Sequence, residues 1–205
     1  MKLETDTLAP APKKQKPEPK SCMDIAADEY NSITDKFSAS KVAPWRHWIE
    51  ANTIFSKLGS DLSGKSILDL ACGDGHYTRR FHARGAKKVT GVDISSGMIS
   101  LAEEWSKNLE NVNYICCDAR LVALDQKYDI VTAIYLLNYA DSVPFLRQFA
   151  ATIKQSLLPG GIFLAVNNNP GQDPATYLST REYGHTKHAE KLENGEPITI
   201  KFYDS

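Results

Sequence analysis

With 205 residues, 42 % apolar and 24 % charged, the chain is sized for one domain and can bury a core without disulfide or metal staples. A formal net charge of −1 excludes a mainly electrostatic grip on nucleic acid or on an anionic membrane. No apolar run approaches the ~20 residues of a membrane span and no signal-peptide core follows the N-terminus, so the expected setting is the cytoplasm.

Residues 1–20 hold four of the ten prolines and five lysines. With almost no bulky apolar side chain they cannot offset the entropy of ordering, and they are expected as a disordered tail. Lys13, Lys14 and Lys16 read either as a weak import patch or as part of that solvated tail. The remainder, 21–205, reads as a single domain with a ligand-binding core over 60–170 and an extension over 171–205.

Two helices are expected first, over 23–32 and 43–58. Pro44 suits the first turn of the second, and Gly59 suits the residue past its end. Strands then read at 66–71, 88–93, 112–116, 128–134 and 161–167. Helices read at 75–84, 96–107 and 142–156, with an irregular stretch near 119–124. This alternation predicts a doubly wound, Rossmann-like α/β sandwich with a mainly parallel sheet, whose ligand lies at the C-terminal ends of the strands. After Asn169 the alternation stops. Segments 183–188 and 197–203 flank Asn194-Gly195 and read as a C-terminal hairpin. The four cysteines, Cys22, Cys72, Cys116 and Cys117, lack metal-ligand spacing and are expected as buried, reduced thiols. No metal site is expected.

The most informative stretch is Ile-Leu-Asp-Leu-Ala-Cys-Gly-Asp-Gly-His-Tyr-Thr-Arg at 67–79. A buried strand ends beside Asp69 and breaks into a loop at Gly73 and Gly75, and a helix follows. Glycines let the backbone turn sharply near a ligand, and a helix N-terminus presents N–H groups to it. A carboxylate would gain nothing beside phosphates, but it suits a ligand carrying an ammonium or sulfonium. S-adenosylmethionine carries both. Asp93 closes the second strand, 18 residues beyond Gly75. It can accept hydrogen bonds from a ribose diol or cap the helix that begins near Ser96. Asp118 closes the third strand, where it can accept the exocyclic amine of adenine, with the Ala119 N–H beside it for a ring nitrogen, or cap the following turn. One such acid says little; three at successive strand ends, one with a glycine loop, point together to an adenosine-containing ligand.

These residues resemble class I S-adenosylmethionine-dependent methyltransferases, over about residues 23–170. The resemblance implies that Asp69, Ala71, Gly73 and Gly75 surround the methionine part, Asp93 the ribose, and Asp118 with Ala119 the adenine. Ile94 and Met98 are implied as apolar cover. Residues 128–139 and 157–163 match further landmarks of the family. Leu-Asp-Leu-Ala-Cys-Gly-Asp-Gly, Tyr-Leu-Leu-Asn-Tyr-Ala and Val-Asn-Asn-Asn-Pro are similar to small-molecule enzymes of the toxoflavin-synthase type. The segment 23–30 resembles an N-terminal lid helix that places Tyr30 over the cofactor, although Met23 stands where the pattern often has a second tyrosine. Arg46 reads either as a partner of the cofactor carboxylate or as an exposed helix arginine.

The implied reaction moves a methyl group to a nitrogen or oxygen of a small molecule by in-line displacement, which chiefly demands collinearity and exclusion of water. His76 reads as a general base or as an exposed loop histidine. Tyr135, Asn138 and Tyr139 follow the fourth strand, where substrate would meet the methyl, and Tyr135 also falls against the cofactor. Asn167, Asn168 and Asn169 either orient a polar heterocycle or satisfy loop backbone. Two rivals stand. A nicotinamide-dependent oxidoreductase would need its third glycine at position 78, which is Thr78. The other is a truncated or degenerate cofactor-binding protein without independent activity. The family's last helix and strands are not evident after the fifth strand, which would leave a sheet edge open to a partner or to self-association.

Overall fold

In the computed structural model, residues 22–40, 46–169, 171–177, 185–189 and 199–202 are described. Five parallel strands form one sheet: β1 (Ser66–Leu70), β2 (Lys88–Asp93), β3 (Val112–Cys116), β4 (Tyr128–Ile134) and β5 (Leu157–Val166). Their order is β3-β2-β1-β4-β5. Helices α1 (Cys22–Ser40), α2 (Asn52–Leu58), α3 (His76–His82), α4 (Ser96–Ser106) and α5 (Val143–Ser156) accompany the sheet. This is the doubly wound, Rossmann-like arrangement expected. A separate antiparallel pair, β6 (His185–His188) and β7 (Thr199–Phe202), matches His185 with Phe202 and His188 with Thr199, as a hairpin requires. Among the described residues no helix is long and apolar enough to cross a membrane. The expected tail at 1–20, Pro44 and the Asn194-Gly195 turn lie outside the described residues.

Strand alternation divides the core into two layers. Leu68, Leu70, Val131 and Ala133 face a cluster with Phe149 and Ile153 of α5. Ile67, Ile130 and Ile134 face the other side, with Ile54 and Phe55 of α2 and Phe81 of α3. Asp69 and Thr132, two residues along from Ile67 and Ile130, therefore belong to the α2/α3 layer. The order of strands reverses between β1 and β4, which puts the crevice of the sheet at their C-terminal ends.

Four elements depart from the sequence reading. The first helix runs on to Ser40 rather than stopping at residue 32. The second is not a single α-helix: a π-helical turn (Arg46–Ala51) precedes α2, which ends at Gly59 with φ 96°. β5 starts at Leu157, because a register shift opposite Tyr128 and Ile130 absorbs Pro159-Gly160-Gly161 within the strand. Cys116 is exposed and Cys117 half-buried, not both buried, because β3 is an edge strand. Beside β5, a cavity of about 470 Å³ runs along α5, lined by Leu137, Leu146, Leu158 and Phe163.

Candidate active site

The loop after β1 is built from left-handed backbone: Ala71, Gly73 and Gly75 have φ of 58°, 56° and 76°. At Gly75 a side chain is impossible without movement, since a Cβ would collide with the Tyr114 hydroxyl. Three backbone donors fix the loop. The Cys72 N–H reaches the Val92 carbonyl at 3.0 Å, the Gly75 N–H the Cys72 carbonyl at 3.1 Å, and the Gly73 N–H Oδ2 of Asp93 at 2.8 Å.

Asp93 is half-buried, and its other oxygen accepts the Ser95 N–H at 2.9 Å. The line of hydrogen bonds continues outward. The Ser95 hydroxyl donates to Oδ1 of Asn31 at 2.7 Å, and that oxygen also accepts the Gly97 N–H at 3.0 Å. Asn31 thereby ties α1 to the turn that carries Asp93. Beside it, the Tyr30 and Tyr139 hydroxyls lie 2.5 Å apart with their rings edge to face. Burial, then Tyr30 and the negative charge of Asp93, push the Tyr139 phenol far above its ordinary range. Asp93, Tyr30 and Tyr139 are thus gathered in one place from β2, α1 and the turn after β4. Ile94 is half-buried beside them, and Met98 and Ala119 are buried.

Asp69 lies lower. It is 1 % exposed, its Oδ2 accepts the Thr78 hydroxyl at 2.7 Å, and its Oδ1 accepts the Thr132 hydroxyl at 2.8 Å. These bonds join β1, α3 and β4 directly beneath the glycine loop. Asp118 turns to its own neighbour: the Arg120 guanidinium bridges both carboxylate oxygens, with Nη2 donating to Oδ2 at 2.5 Å and Nε to Oδ1 at 3.1 Å, and the Arg120 N–H closes a tight turn on Oδ1 at 2.8 Å. The guanidinium is stacked 4.0 Å from the Phe145 ring centre.

Tyr135, directly after β4, is a non-glycine residue at φ 67°. Its hydroxyl donates to Oε2 of Glu50 at 2.5 Å, while the Tyr77 hydroxyl donates to Oε1 at 2.7 Å. His76 opens α3, is half-buried and packs edge-on against Tyr77, with ring centres 5.0 Å apart. Asn138 is exposed and its Oδ1 accepts the Asn168 N–H at 3.2 Å, which links the turns after β4 and β5. Arg46 opens the π-helical turn, and its side chain lies outside the described residues. Cys72, buried among Asp93, Asp69 and Asp74, has its thiol pushed well up, first by burial and then by those charges. Among the described residues no group of three or more His, Cys, Asp or Glu is placed to hold a metal.

Glu50, Asn31, Ser95 and Arg120 were not among the expected site residues. Glu50 left one legible sign: an acid four residues before Ile54, on the apolar side of a helical segment.

Carboxylates stand within two residues of the C-terminal ends of β1, β2 and β3, and a left-handed glycine loop follows the first, on a doubly wound α/β domain. Comparison with known proteins specifies it. Residues 67–161 match the family described as a methyltransferase domain. The ubiquinone biosynthesis O-methyltransferase of Coxiella burnetii is 36 % identical over 113 residues, which cover 53 % of this chain and 46 % of that protein. The chain spans about half the length of the curated relatives it matches. Among solved structures, an S-adenosylmethionine-dependent methyltransferase from Mesorhizobium loti is 29 % identical, with a TM-score of 0.50 over 58 % of this chain and 53 % of that one. Phosphoethanolamine N-methyltransferase 1 of Haemonchus contortus shares the fold, with a TM-score of 0.67 at 21 % identity, over 85 % of this chain and 36 % of that one. Residues 67–161 thus resemble a methyltransferase domain, on a fold shared with S-adenosylmethionine-dependent methyltransferases.

Proposed function

We propose that this chain binds S-adenosylmethionine at the C-terminal ends of β1, β2 and β3 and transfers its methyl group to a nitrogen or oxygen of a small molecule. The observation that carries the reading is Asp93. It closes β2 as a half-buried carboxylate, aligned by the Gly73 and Ser95 N–H groups, within the stretch that matches the methyltransferase domain. A carboxylate held in this way suits a ribose diol. The nicotinamide rival fits poorly: at the position of its third glycine, the Thr78 side chain is fully buried and bonded to Asp69.

When bound, S-adenosylmethionine supplies a methyl group already activated on a sulfonium. The chain's own work is to bind and orient, and to keep water away. Asp93 would take the ribose, Ala119 with Ile94 and Met98 would bound the base, and the 71–75 loop would run past the amino-acid part. Asp69 acts from beneath by fixing the loop. Asp118 meets the base only as one half of its pair with Arg120. Tyr30, held to Tyr139, closes the site from α1. Tyr135 and Asn138 belong to the acceptor side, and burial beside Tyr30 and Asp93, which pushes the Tyr139 phenol up, disfavours Tyr139 as a base. His76 is left as the candidate general base.

The relative from Coxiella burnetii is an O-methyltransferase by name, so hydroxylated rings join nitrogen heterocycles as acceptor classes to try. Free thiols at Cys72, Cys116 and Cys117 suit a reducing compartment, which supports a cytoplasmic setting. The apolar cavity and exposed Leu158, Ile162 and Phe163 beside β5 support this edge as a contact surface. The test of function is release of S-adenosylhomocysteine from S-adenosylmethionine on adding phenols, carboxylic acids or nitrogen heterocycles. Acceptor-dependent release that disappears in Asp93→Ala supports the reading. A chain that binds the cofactor yet transfers to none of these classes favours the binding-only alternative.

A further inference from the structure

We propose that Glu50 is a positioning residue that clamps the two walls of the crevice between β1 and β4; its functional consequence rests on the reading of that crevice as the cofactor site. The order of strands reverses there, and the two walls belong to different parts of the chain. One wall is the loop after β1 with the first turn of α3, which carries Tyr77. The other is the segment after β4, which opens with Tyr135. Glu50 comes from a third element, the π-helical turn outside the sheet. Its two oxygens are divided between the walls: Oε1 accepts Tyr77 at 2.7 Å and Oε2 accepts Tyr135 at 2.5 Å.

Two further observations mark this as more than a satisfied polar group. Glu50 is 6 % exposed among Ala51, Ile54 and Phe55, a setting in which an apolar side chain of similar size would serve packing at least as well. Tyr135 reaches Glu50 from a left-handed backbone, φ 67° and ψ 4°, which a bulky residue keeps only when its surroundings impose it. Its N–H is fixed to the Val166 carbonyl at 2.7 Å, so backbone and hydroxyl are anchored on opposite sides. The clamp therefore sets the separation of the glycine loop from the end of β4, and with it the direction of the Tyr135 ring.

The test compares the full chain with Glu50→Ala, Glu50→Gln, Tyr135→Phe and the Glu50→Ala/Tyr135→Phe pair, by calorimetric titration with S-adenosylhomocysteine and by urea midpoint. Folded Glu50→Ala is expected to bind roughly tenfold more weakly or worse, the scale of loss when a site wall is misplaced. Tyr135→Phe should account for part of that loss, and the pair should bind no more weakly than Glu50→Ala alone. Glu50→Gln, which keeps the size and one carbonyl acceptor, should recover most of the affinity. Should Glu50→Ala not fold, the Tyr77→Phe/Tyr135→Phe pair, which removes only two hydroxyls, must show the loss instead. Affinity within about twofold of wild type in the folded variants, or losses that simply multiply, would overturn the proposal. If the wild-type chain itself takes no S-adenosylhomocysteine, the cofactor reading fails, and the urea midpoints decide the clamp. Additive losses for Glu50→Ala and Tyr135→Phe would then overturn it.

Discussion

Thr132→Val tests whether Asp69 works as a strut beneath the loop. Thr132 is fully buried and donates to Asp69 Oδ1 at 2.8 Å, so the exchange removes a hydrogen bond to a carboxylate that has 1 % exposure. Valine has the outline of threonine, and its extra methyl gains some burial, which blurs any absolute figure. Thr90→Val supplies the correction. Thr90 is 3 % exposed in the neighbouring strand β2 and accepts the Tyr128 hydroxyl at 3.0 Å, a bond between neutral groups. The methyl gain is common to both variants; what differs is the partner, a carboxylate that loses a donor in one and a neutral hydroxyl that loses an acceptor in the other. Neutral hydrogen bonds contribute about 1 kcal/mol and those to charged groups about 1.5–3 kcal/mol. Thr132→Val should thus be the less stable of the two by about 1 kcal/mol, or roughly 2–4 °C in melting temperature for a chain of this size. Thermal melts with urea midpoints measure it. Equal stability, or a less stable Thr90→Val, would refute the strut.

The left-handed backbone at Ala71 predicts that Ala71→Gly is stabilising by about 0.5–1 kcal/mol, the relief of strain exceeding the added freedom of the unfolded chain; a lower urea midpoint would contradict this. Thiol alkylation near pH 8, followed by mass spectrometry, should modify Cys116 first and Cys117 more slowly, and reach Cys72 only on unfolding. Early modification of Cys72 would mean that the loop opens readily. Asp129 accepts both the N–H and the hydroxyl of Ser66 at 2.8 Å, and these bonds hold its carboxyl below the usual range. Its contribution is present above the unfolded value of about 4 and is lost as pH falls through the lower folded value. Asp129→Asn should therefore trail wild type at pH 7 and converge with it once the pH has fallen below the lowered folded value, which urea midpoints across pH would measure.

The frame of the domain was legible because buried parallel strands read as short apolar runs and their helices as amphipathic stretches. β1 to β4 fall within a residue of their expected ends. β5 was harder: Pro159-Gly160-Gly161 signals a turn, and only the register against Tyr128 and Ile130 shows it absorbed within the strand. Cys116 was misplaced because alternation along a strand does not say whether a neighbour covers it. The site divides in the same way. Asp93 could be picked out by its strand end and its distance from Gly75. The partners of Asp69 are 9 and 63 residues away in sequence, and those of Glu50 are 27 and 85 away. Such pairings arise only when the layers close. Arg120 is a different case. It stands two residues from Asp118, yet its engagement depends on the Phe145 ring that receives it.

Calorimetric titration of the full chain with S-adenosylhomocysteine, beside Asp93→Ala and with NADH as the contrasting ligand, tests the central claim most directly. S-adenosylhomocysteine should bind in the micromolar range, a folded Asp93→Ala should lose that binding, and NADH should not bind. Undiminished affinity in Asp93→Ala, or binding of NADH alone, would contradict that claim.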